Sequence, residues 1–152
     1  MNVRIVVLAA ITGASNLVAQ ARPLRASGTF EVQLAVQPAG ADSTLGRMSI
    51  TKQYAGDITG TGVGTMLTGM TGVPNSGAYV AVERVTGTVH GRKGSFLLQH
   101  SGTMNRGAQS LTITVIPDSG TDDLTGISGA MKIIIDGKKH SYEFEYAIPK
   151  LP

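Results

Sequence analysis

Few residues in this chain are equipped for chemistry, and they are scattered. There is no cysteine, which removes disulfides, thiolate nucleophiles and cysteine-ligated metals at once. His90, His100 and His140 have no close pairing in sequence, so no zinc site and no cofactor are expected. Asp118-Ser119-Gly120-Thr121-Asp122-Asp123 is acidic and contains glycine. It lacks the alternating ligands and terminal Glu of a calcium loop, and reads as a surface turn. No Gly-x-Ser-x-Gly elbow and no phosphate-binding glycine loop occurs. What remains is a carboxylate and an imidazole, Glu83 and His100. Brought together in an interior they would form an acid/base couple, since burial raises a carboxyl pKa and an adjacent imidazolium lowers it. Lys52, Tyr54, Tyr79, His140, Tyr142 and Tyr146 are placed to add charge and hydroxyls to the same interior.

Whether Glu83 and His100 meet depends on the elements that carry them. Downstream of Ser27 the hydrophobic pattern has period two, broken by Gly, Pro and Asp, and no segment requires a helix. Phe30, Val32, Leu34 and Val36 alternate with polar residues, as do Met48, Ile50 and Tyr54. The Gly- and Thr-rich stretch 57–72 patterns weakly, but Ile58, Met66 and Leu67 leave room for a strand bent at glycines. Further strands are predicted over 77–90, 94–104, 109–116, 124–135 and 140–148. Eight short strands with tight turns must hide their edges. Closure into an antiparallel, mostly up-and-down barrel does so, with a two-sheet sandwich as the alternative. The chain of 152 residues, 20 of them glycine, reads as one such all-β domain over 22–152.

Turn length sets which side chains face inward. A two-residue turn at Asp136-Gly137 pairs Ile135 with Lys138 and puts Met131, Ile133 and Ile135 on one face with His140, Tyr142, Phe144 and Tyr146. A turn at Gly107-Ala108 pairs His100 with Val115 and places His100 inside, among Phe96, Leu98, Leu111 and Ile113. A turn at Gly91-Arg92, or four residues over 90–93, sets Val85 opposite Leu98 and Glu83 opposite His100. An odd-length loop at either turn would separate the two, because a one-residue slip flips a strand's faces.

Two readings of the pair stand side by side. Glu83 and His100 satisfy one another in a core, as buried polar groups must. Alternatively they form a site, as catalytic acid and base of a cofactor-independent isomerase or cyclase, or as polar contacts in a pocket for a small, largely apolar ligand. An eight-stranded barrel is just wide enough to hold one small ligand. The ligand-binding set is then Tyr79, Glu83, Phe96, Leu98, His100, Tyr142 and Tyr146. On the outward face Val80 and Val82 offer a contact between copies of the chain, with Arg84 solvated beside them and His90 in a turn. The net charge of +3 comes from few, dispersed basic residues, which gives no nucleic-acid footprint. Residues 1–21 read as a cleaved signal peptide: a basic start, the apolar run 5–11, and Ala19-Gln20-Ala21 in a small-x-small cleavage pattern. The expected location is therefore periplasmic or secreted, and no segment is apolar enough for a membrane span.

The run from Tyr79 to Thr88 (YVAVERVTGT), the run from Gly94 to Met104 (GSFLLQHSGTM), Pro117-Asp118-Ser119-Gly120-Thr121 and His140-Ser141-Tyr142-Glu143-Phe144 together resemble the bacterial domain of unknown function 3224 family. The resemblance extends from Gly28 to Tyr146. It implies an eight-stranded barrel similar to allene oxide cyclase and lipocalin-type barrels, and it implies no role for any residue.

Overall fold

The computed structural model describes residues 22–38 and 40–149, so the export signal read in residues 1–21 lies outside the described residues. The alternating apolar residues form eight strands: β1 (Leu24–Val36), β2 (Leu45–Gly56), β3 (Ile58–Met70), β4 (Gly77–Val89), β5 (Arg92–Asn105), β6 (Ala108–Val115), β7 (Ser128–Asp136) and β8 (Lys139–Ala147). Each pairs antiparallel with its sequence neighbour, and β1 pairs with β8, so the sheet is a closed up-and-down barrel rather than a sandwich. A 3-10 turn, Asp122–Leu124, lies in the connection between β6 and β7. Leu124 therefore belongs to that connection and not to a strand beginning there, and β7 starts at Ser128. Among the described residues no helix is long and apolar enough to cross a membrane.

The predicted faces hold, but three hairpin registers are displaced by two residues. β4 and β5 turn at His90-Gly91, pairing Val89 with Arg92, Glu83 with Leu98 and Ala81 with His100. β5 and β6 turn at Arg106-Gly107, pairing His100 with Ile113. β7 and β8 pair Asp136 with Lys139, which moves that turn to Gly137-Lys138. The cause at the first two is local. His90 (φ 47°) and Gly91 (φ 77°), like Arg106 (φ 50°) and Gly107 (φ 93°), put two consecutive residues in the left-handed region, as a type I′ hairpin requires. Glycine takes the second of these positions and a non-glycine residue tolerates the first. A two-residue slip preserves parity, so every side chain stays on its expected face.

The barrel has two unlike halves. At one end lie the start of β1, the end of β8 and the long β6–β7 connection, whose Leu124 and Ile127 are fully buried. Ser119 and Thr121 fasten this connection by accepting hydrogen bonds from the backbone N–H groups of Leu97 (3.0 Å) and Ser95 (2.9 Å). Beneath it Phe96, Phe144 and Tyr146 stack, with centroids 5.6 and 5.2 Å apart, against Val85, Val89 and Ile58. Burying each such side chain contributes about 1.5–3 kcal/mol. At the opposite end the β1–β2, β3–β4, β5–β6 and β7–β8 turns surround an open mouth, where inward-facing Leu34 and Ile135 remain 50% and 64% exposed. The β6–β7 seam is the most weakly laddered of the barrel, registered at Thr114 and Ala130 near the sealed end.

Candidate functional site

At the level where the packed half gives way to the open half, Glu83 is fully buried and takes three polar neighbours. Lys52 Nζ donates to its Oε2 at 2.7 Å, and Tyr54 Oη donates to its Oε1 at 2.8 Å. His100 Nε2 lies 3.1 Å from the same Oε2 without hydrogen-bond alignment, and it is a buried polar atom with no hydrogen-bond partner. Glu83 and His100 thus do touch, but diagonally across the β4–β5 ladder rather than face to face, because the register is displaced. Burial alone would push the Glu83 carboxyl up. The contacts of His100, Lys52 and Tyr54 outweigh it and hold the carboxyl below its ordinary value, so it is ionised at neutral pH. Burial, and then the Glu83 charge, push the Tyr54 hydroxyl strongly upward, so it stays a donor.

Lys52 and Tyr54 are on β2 and Glu83 is on β4, with β3 between them. They meet because the inner surface of β3 carries no side chains there. Gly60, Gly62 and Gly64 stand between Tyr54, Lys52 and Ile50 on one side and Gly87, Val85 and Glu83 on the other. A Cβ on Gly62 would run into Glu83 Oε1 and lie 3.1 Å from the Tyr54 ring. The glycine stripe is the channel through which the carboxylate reaches its partners.

Above this cluster a cavity of about 470 Å³ opens toward the mouth. Its walls are mostly apolar, with Phe30, Ile50 and Met66 at depth and Leu34, Met70 and Ile135 nearer the mouth. Lys52 and His100 reach its floor, and His140 and Tyr79 its sides. The Lys52 ammonium sits 4.9 Å from the Phe30 ring centroid, which adds a cation–π contact. Tyr79 lies against the bare backbone of Gly102, where a Cβ would collide with its ring. Burial, and secondarily the Glu83 charge, raise the Tyr79 hydroxyl above its ordinary value.

The seven residues expected to bind a ligand separate between the two halves. Tyr79 and His100 line the cavity, and Glu83 lies behind its floor. Phe96 and Leu98 are fully buried in the packed half. Tyr142 and Tyr146 are also in that half: Tyr142 Oη accepts from the Ile58 N–H at 2.7 Å, and Tyr146 Oη is 2.6 Å from His90 Nδ1. They share the inward face with His140, as read from the sequence, but sit nearer the sealed end. Lys52 holds the larger part, and its signal was its place in the inward series Met48, Ile50, Lys52, Tyr54. Val80 and Val82 are outward and about half exposed, and Arg84 donates to Ser95 Oγ at 3.2 Å.

A closed eight-stranded meander, plugged at one end and hollow at the other above a buried Lys-Glu-His cluster, defines a small one-mouthed β-barrel protein. The chain belongs to the family described as "Protein of unknown function (DUF3224)", whose model matches residues 26–146. The crystal structure of a protein of unknown function from that family, from Shewanella oneidensis MR-1, is 39% identical and superimposes with a TM-score of 0.79. The match covers 84% of this chain and 98% of that one. No curated protein matches the chain.

Proposed function

We propose that the protein binds a small, largely apolar molecule in the open half of its barrel. The observation that carries this reading is the cavity of about 470 Å³ with apolar walls and a few convergent polar groups on its floor. That volume falls in the range of about 300–1,000 Å³ typical of small-molecule sites. An acid/base role for Glu83 has less support, since both its oxygens are engaged and its side chain is wholly buried behind the floor. Native mass spectrometry of the protein from its own host should show a retained small molecule. An environment-sensitive apolar dye should bind the purified protein, and Val32→Trp, at a position that lines the cavity, should abolish that binding while the variant still unfolds cooperatively. Absence of both the retained mass and the dye binding would sink the reading. Export after removal of residues 1–21, and self-association through the half-exposed Val80 and Val82, belong to the same proposal; sedimentation velocity tests the second.

A further inference from the structure

The distribution of polarity in the cavity is inverted relative to a surface cleft. The mouth is rimmed by exposed apolar side chains, Leu34, Met70, Leu111 and Ile135, together with the neutral Gln109 and Ser110, while the basic Lys52 and His100 are at the floor. Apart from the Tyr79 phenol, every titratable group on the wall is a base: Lys52, His100 and His140. Among the described residues the carboxylate nearest the floor, Glu83, lies behind it with its charge already answered by Lys52. A lysine ammonium has three N–H donors. Lys52 uses one on Glu83 at 2.7 Å and a second on Tyr54 Oη at 3.3 Å, so a third is left for the cavity it lines. His100, 3% exposed, lines the same floor with its Nε2 turned toward Glu83 Oε2 at 3.1 Å, so its ring adds a second basic group beside Lys52.

We propose that the ligand is an amphiphile with an anionic oxygen head group, inserted head first, so that its oxygens meet Lys52 and His100 and its hydrocarbon chain runs out past the apolar rim. This rests on the pocket reading above and names the chemistry that pocket selects. An anionic head completes the donor capacity of the floor, and a cationic head would bring a like charge to the buried Lys52 ammonium. The tail covers apolar groups at the mouth that are otherwise left to water.

Titration calorimetry of the full chain with decanoate, decanol and decylamine separates the possibilities. Decanoate should bind more tightly than decanol by about tenfold or more, as charge-assisted hydrogen bonds require, with decylamine weakest. Lys52→Met should weaken decanoate by about tenfold or more and decanol by much less, which removes the preference for the anion. His100→Gln serves the same comparison where Lys52→Met fails to fold. With a spin label at the tail end of the carboxylate, the Met70 and Met104 methyl signals at the mouth should broaden more than that of Met66, which lies deeper. Equal binding of decanoate and decanol, preference for the amine, or stronger broadening at Met66 would overturn the head-first assignment and leave the pocket intact. Failure of all three ligands to bind would overturn the pocket reading itself.

Discussion

Glu83→Gln removes a buried negative charge while keeping the shape of the side chain, and it leaves the Lys52 ammonium without its counter-ion. Breaking a buried ion pair in this way costs roughly 3–5 kcal/mol when the orphaned charge stays sealed. Lys52 is only 5% exposed, yet it forms part of the floor of an open cavity, so it can turn toward solvent. Tyr54 can still donate to the amide oxygen that replaces Oε1. Both features bring the expected cost below that range, to about 2–3 kcal/mol, which for a chain of this size lowers Tm by roughly 5–12 °C. Lys52→Met should cost a similar amount by leaving Glu83 ionised and short of a donor. The double variant should cost less than the sum of the singles by about 1.5 kcal/mol or more, whereas independent sites add to within about 0.5 kcal/mol. Urea unfolding with linear extrapolation reads all four proteins of the cycle. Additive singles, or a Glu83→Gln cost below about 0.5 kcal/mol, would refute the claim that a desolvated ion pair organises the floor, since changes of that size are typical of surface substitutions.

Four further outcomes can be measured, three from the same geometry and one from the sequence. Glu83 has a folded-state pKa below its ordinary 4.5, so its contribution to stability is complete above that value and is lost as pH falls through the folded value; the acid limb of a stability–pH curve should flatten in Glu83→Gln. Tyr54 is shifted upward from 10.0, so its contribution is complete below pH 10 and is lost as pH rises; Tyr54→Phe, though less stable at neutral pH, should show a flatter alkaline limb. Gly62→Ala adds one methyl where Glu83 Oε1 already sits and should destabilise by about 1–3 kcal/mol in urea unfolding, whereas Gly40→Ala, with nothing within 4 Å, should be near neutral. Intact-mass measurement on protein from the native host should find Arg22 as the first residue, and a full-length chain recovered from the cytosol would contradict export.

The strand count, closure and inward face of nearly every segment were legible because period-two patterning survives any even slip in register. The slip itself was not. Gly91 and Gly107 each attract a turn assignment, but whether glycine takes the first or second turn position decides the pairing, and here His90 and Arg106 accept left-handed backbone ahead of it. Glu83 and His100 still met, because diagonal neighbours remain within reach of long side chains. Lys52 was visible as a charged residue on an apolar face, yet its partner could not be inferred from any hairpin, since β3 lies between them. The cue was the weakest-patterned stretch of the chain: the glycines of β3 read as a poorly defined strand, and their function is to be bare. Tyr142 and Tyr146 show the limit of face assignments, which say inside or outside but not at what height along the barrel a side chain sits.

The sealed end also determines how the molecule can be held. β1 begins and β8 ends beside the plug, a full strand length from the mouth, and every turn at the mouth is internal to the chain. The chain therefore enters β1 and leaves β8 on the far side from the opening. A fusion joined directly to Leu24 or Ala147 would start from the plugged end and leave the turns around the cavity unobstructed.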